Sequence, residues 1–131
     1  MPDKFELGRG FFLKAESDLN TAQRMVASDG PYDTACFHAQ QAAEKYLKGL
    51  LAFLGEPFPR THNLEELQHL GEKLPSWPLT ALDLTQLSSY AVEVRYDFEF
   101  WPDRQTAQDA IALASKVRKL VLDAVPPAAR P

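Results

Sequence analysis

The chain has 131 residues, 45% hydrophobic and 24% charged, which suits one globular domain large enough to bury a core without disulfides or a structural metal. A formal net charge of −4 excludes a general nucleic-acid coat, which needs a basic surface to release counterions, and leaves room only for a local cationic site. The single cysteine, Cys36, excludes an internal disulfide and a cysteine-rich metal centre; it reads as a small buried apolar residue rather than a catalytic thiol.

The opening stretch MPDKFELGRG has no signal-type apolar run, and no segment approaches the roughly 20 apolar residues of a membrane span. The expectation is a cytoplasmic protein without membrane contact. In the first periodic segment Phe12, Ala15, Leu19, Ala22 and Val26 recur at helical spacing, and SDGP ends it. A second helix is expected from Tyr32 to Leu54, closed by Gly55 and stopped by the prolines of GEPFP. THNLEEL opens a third, with Asn63 as cap and Glu66 reaching back in a capping-box arrangement. After PSWP, Thr80 is the expected cap of a fourth helix carrying Leu84, Leu87, Ala91 and Val94. DFEFWPD breaks the pattern, and Asp103 caps a fifth helix whose stripe runs from Ala107 to Val121. No period-two run suggests a strand. The fold class is therefore all-α, an antiparallel up-and-down bundle of four to five helices in one domain over residues 1–125, with a loose tail at 126–131.

CFHAQQAAEKYLKGLL, within the second helix, has an apolar arc covering about half its circumference, so it should pack against more than one neighbour. Gly49 there costs about 1 kcal/mol against alanine, which points to a packing reason. His38, Gln41, Lys45 and Lys48 face the other way, as a solvated back, with Glu44 four residues before Lys48. Gln40 projects inside the apolar arc, where an unpaired amide would cost about 1–3 kcal/mol. It needs a hydrogen-bond partner, water or another chain, and is an interface candidate.

Arg95 and Tyr96 end the fourth helix. They are candidates for a guanidinium on phosphate beside an aromatic platform; the plainer alternative pairs Arg95 with Asp97, Glu99 or Asp103. Lys48 and Arg104 are weaker phosphate-binding candidates. Phe98, Phe100 and Trp101 either close the end of the bundle or meet a partner. His62 reads as a brace of the PRTHN turn, and His69 as solvated. The histidines lack ligand spacing, so neither a metal nor a cofactor is expected. No glycine-rich phosphate loop or nucleophile elbow stands out.

From Ala39 to Leu67, AQQAAEKYLKGLLAFLGEPFPRTHNLEEL resembles the HEPN domain family, as does YAVEVRYDFEFWPDRQTAQDAIALASKV further on. The likeness spans nearly the whole chain. It implies a helical bundle, commonly a homodimer, often acting with a minimal nucleotidyltransferase and sometimes as a toxin–antitoxin pair, with nucleotide or RNA as ligand. Ribonuclease members carry an arginine followed four to six residues later by a histidine. Arg95 matches that arginine, but YDFEFWPDR after it holds no histidine. Metal-free RNA cleavage needs proton-carrying groups titrating near neutrality, and an arginine does not. The resemblance thus implies a module that is non-catalytic or weakly catalytic; a divergent ribonuclease using Arg95 with Asp97, Glu99 or His62 is the alternative.

Overall fold

Three of the helices begin on side-chain caps. The Asp3, Asn63 and Asp103 side chains accept the N–H groups of Glu6, Glu66 and Thr106, each satisfying a donor the helix itself leaves free. The computed structural model describes residues 3–131, and among these the elements are α1 (Lys4–Ala27), α2 (Tyr32–Phe53), α3 (Leu64–Gly71), α4 (Thr85–Tyr96), α5 (Arg104–Asp123) and a 3-10 turn at Pro127–Ala129. No strand occurs among the described residues. The all-α bundle is as expected. The second helix ends in a Schellman motif: Glu56 N–H donates to Leu51 O, Gly55 N–H to Ala52 O, and Gly55 takes φ +75°.

The fourth helix starts four residues later than a cap at Thr80 suggests, with Leu84 in the cap position. The Gln68 side-chain amide takes the carbonyls of Leu79 and Leu82, holding that stretch in an irregular path while Leu79 is buried. Asp83 then supplies the acceptor for Thr85 N–H, and these bonds hold its carboxyl below the usual range. The capping box at α3 is only half formed, because Glu66 accepts from Thr61 Oγ1 instead of returning to Asn63 N–H.

Contacts run in opposite order along α1 and α2, Phe5 meeting Phe53 and Phe12 meeting Tyr46, so the two are antiparallel. Tyr32 meets Arg104, and Tyr46 shares Glu16 with Arg118, so α2 and α5 run parallel. Arg95 near the end of α4 lies over Phe37 near the start of α2, an antiparallel pair. The long helices thus go up, down, up, down, with short α3 bridging. Helix α2 is central and touches every other helix. Gly49 lets α1 pack close against α2: a Cβ there would stand 2.5 Å from a ring carbon of fully buried Phe12.

The tail is not loose. Ala129 is fully buried, and Arg130 donates from Nε to Leu122 O (2.8 Å) and from Nη2 to Val125 O (3.0 Å). These are carbonyls at and just beyond the end of α5, so Arg130 satisfies acceptors that a helix end would otherwise leave to water.

Candidate functional site

Helix α2 carries a polar ladder into the interior, one turn per rung. Gln40 is fully buried; its Nε2 donates to His62 O at 2.8 Å and its Oε1 accepts from Gln41 Nε2 at 2.7 Å. Its partner is therefore a loop of the same chain, and its side chain is not available to a second subunit. Glu44, also buried, accepts from Lys48 Nζ at 3.1 Å and meets His62 Nδ1 at 2.8 Å. The solvated back expected for this helix is largely covered, by the loop between α2 and α3 over Gln40 and Glu44 and by α1 beside His38 and Lys45. His38 and Lys45, both about three-quarters covered, share Asp18 of α1. Lys48 keeps only 14% of its side chain exposed, and its charge is committed to Glu44, so it offers no free cation for phosphate. His69, in contrast, is solvated as expected.

Arg95 is arranged differently. Its Nε donates to Ala91 O at 2.8 Å, and its guanidinium carbon lies 5.3 Å from the Phe37 ring centroid and 5.8 Å from that of Tyr96. Among the described residues no carboxylate pairs with it. Asp97 accepts the Glu99 N–H and Asp103 caps α5, and the alternative pairing of Arg95 with Asp97, Glu99 or Asp103 does not form. Both Nη groups remain to donate, and a guanidinium steadied on aromatic faces is a ready partner for a tetrahedral anion. Arg104 is not comparable: it pairs with Asp29 and donates from Nε to Tyr32 Oη, which leaves its charge already matched.

The loop aromatics divide. Phe100 stacks on Tyr90 with centroids 5.5 Å apart and closes the bundle end. Phe98 and Trp101 stay 85% and 75% exposed, and Val92 and Tyr96, one turn apart on α4, are exposed too. Several large apolar side chains left exposed within ten residues of sequence suit an interaction surface.

Between α3 and α4 lies a cleft of about 500 Å³, lined by His62, Asn63, Glu65, Ser88, Ala91 and Val92 among others. Sequence reasoning missed Glu44 as the support of His62, and Phe37 as the platform under Arg95. A signal existed for the first: Gln40, Glu44 and Lys48 form an i, i+4 polar row directly beside the arc of Ala43 and Leu47.

Two other reactive types are structural. Tyr46 Oη donates to Glu16 Oε1 at 2.5 Å, which also accepts from Arg118 Nε, joining α1, α2 and α5; burial raises the phenol pKa well above its usual range. Cys36 is buried, and burial first, then the charges of Asp33, Asp103 and Glu93, push its thiol up to about 12. It should resist a thiol-specific reagent at pH 7 in the native protein and react fully once denaturant unfolds the chain. Rapid native-state labelling would contradict this.

The bundle, with its buried ladder and an unpaired arginine closing the fourth helix, defines an all-α helical-bundle domain. A family model for the HEPN domain matches residues 9–124, and the chain belongs to that family. Solved structures agree. The crystal structure of TT1696 from Thermus thermophilus is similar at 30% identity and TM-score 0.73, covering 90% of this chain and 98% of that one. The crystal structure of ST0689, an archaeal HEPN homologue, is similar at 27% identity and TM-score 0.70, covering 94% and 98%. Among curated proteins none matches. No helix among the described residues is long and apolar enough to cross a membrane.

Proposed function

We propose that this HEPN domain is a binding module, non-catalytic or weakly catalytic. It pairs with a second copy of itself, holds the phosphate of a nucleotide or RNA on Arg95, and acts with a minimal nucleotidyltransferase in a nucleotide-responsive or toxin–antitoxin-like complex. The observation that carries the phosphate role is the Arg95 guanidinium, within cation–π distance of Phe37 and Tyr96 and unmatched by any carboxylate among the described residues. The exposed Val92, Tyr96, Phe98 and Trp101 supply the surface for self-association or for the partner. That patch adjoins Arg95, so pairing of two copies through it would bring two guanidinium groups towards one groove.

Catalysis of the family's ribonuclease type is not favoured, because no histidine follows Arg95 in YDFEFWPDR. The divergent-ribonuclease reading draws on one observation, the imidazole of His62 held by Glu44. No second histidine lines the cleft among the described residues to protonate the leaving oxygen; the acid there is Glu65. The two readings part in a simple assay. The purified protein should sediment as a dimer, bind ATP or a short RNA saturably, co-elute with a co-expressed minimal nucleotidyltransferase, and leave RNA intact. Metal-independent RNA cleavage abolished by Arg95→Ala would establish the ribonuclease instead, and absence of any saturable binding would remove the module reading.

A further inference from the structure

We infer that His62 reads a ribose hydroxyl, so that the domain prefers ribonucleotides to deoxyribonucleotides; this rests on the phosphate-holding role of Arg95 proposed above. The chemistry begins with Glu44, a carboxylate 95% out of solvent that already accepts from Lys48 Nζ. We assign the hydrogen of this pair to the ring nitrogen facing Glu44, His62 Nδ1; in that tautomer Nε2 presents a lone pair on the opposite edge. More than half of the His62 side chain is exposed, it lines the cleft between α3 and α4, and Nε2 has no partner among the described residues. An acceptor in that place selects a donor, and a ribose hydroxyl is one, whereas a phosphate diester has no proton to give.

The cleft suits the neutral part of a nucleotide. Ala91 and Val92 give it an apolar wall, Ser88 and Asn63 a polar one, and the Glu65 carboxylate at its margin disfavours a phosphate there. The phosphate belongs on Arg95 instead. Arg95 folds back along α4 to donate to Ala91 O, and Ala91 itself lines the cleft. On α2, Phe37 lies under Arg95 and Glu44 behind His62, seven residues or about 10 Å along the helix. Phosphate and sugar of one short strand can reach both. The ring bond to Glu44 is more than a latch for the loop, because Gln40 already fixes the His62 backbone carbonyl.

The test uses matched fluorescent oligouridylate and oligodeoxyuridylate strands, titrated into the full-length protein by anisotropy. Wild type should bind the ribose strand about tenfold more tightly, the worth of one well-made hydrogen bond in a partly dry site. His62→Asn keeps an amide N–H near the Nδ1 position for Glu44 but removes the outer nitrogen. It should bring the two affinities to within about twofold by weakening the ribose strand alone. His62→Gln, whose amide oxygen reaches towards the Nε2 position, should retain part of the preference, and Arg95→Ala should weaken both strands alike. Equal affinities in wild type, or a preference unchanged in both His62 variants, would overturn the inference while leaving the Arg95 site standing. Failure of wild type to bind either strand would overturn both.

Discussion

Glu44→Ala is expected to lower the stability of the domain by about 3 kcal/mol, a fall of roughly 10 °C in Tm. The carboxylate is almost fully buried, and its removal strands two groups. Lys48, only 14% exposed, loses its counter-charge, and His62 Nδ1 loses its acceptor. A charge left in the interior without a partner costs several kcal/mol, whereas removing both members of a pair is far milder. The double change Glu44→Met, Lys48→Met should therefore recover most of the loss, with only the His62 contact missing. Denaturant titration of the three proteins measures this. A loss below about 1 kcal/mol in the single variant, or a double variant no better than the single one, would show that the ladder is solvated and not buried.

Arg95→Ala should act in the opposite sense, with little effect on folding and a large one on binding. In the fold the side chain contributes one bond to Ala91 O and stacking on two rings, one of them mostly exposed, so the stability change should stay under about 1 kcal/mol. In binding it contributes charge-assisted bonds to a phosphate, worth about 1.5–3 kcal/mol, or roughly 10- to 100-fold in Kd. Arg95→Lys should restore only a small part. An ammonium cannot donate in the planar fork of a guanidinium, and it would lose the planar group's contact with Phe37 and Tyr96. Salt should weaken wild-type binding more steeply than that of Arg95→Ala, since the variant releases fewer counterions. Equal affinity of wild type and Arg95→Ala at low salt would remove Arg95 from the site.

The bundle was legible in the sequence because its helices carry full apolar stripes and side-chain caps: Asp103 and Asn63 both cap as their positions suggest. What failed was local. Thr80 looks like a cap, but a helix starts where its first carbonyls are free, and those of Leu79 and Leu82 are claimed by Gln68 from another element. The tail PPAARP looks loose by composition, yet one buried alanine and one arginine on helix-end carbonyls tie it down. The site shows the same division. Gln40 was legible as a polar group in an apolar arc, because helical geometry alone places it there. The sequence ranks Arg95 above Lys48 and Arg104 only through the family resemblance, since charge alone does not separate them. Their roles separate only through partners far away in sequence or across the bundle: Glu44 with its folded-over loop for Lys48, Asp29 for Arg104, and Phe37 for Arg95. No periodicity encodes those pairings.

The anion-holding role of Arg95 is tested most directly by nitrogen-15 NMR of the arginine side chains during titration with inorganic diphosphate and then ATP. Arg95 signals should shift saturably, while those of Arg104 and Arg118, already matched by Asp29 and Glu16, should stay nearly still. Arg95 signals that remain in place, or move no further than those two, would contradict it.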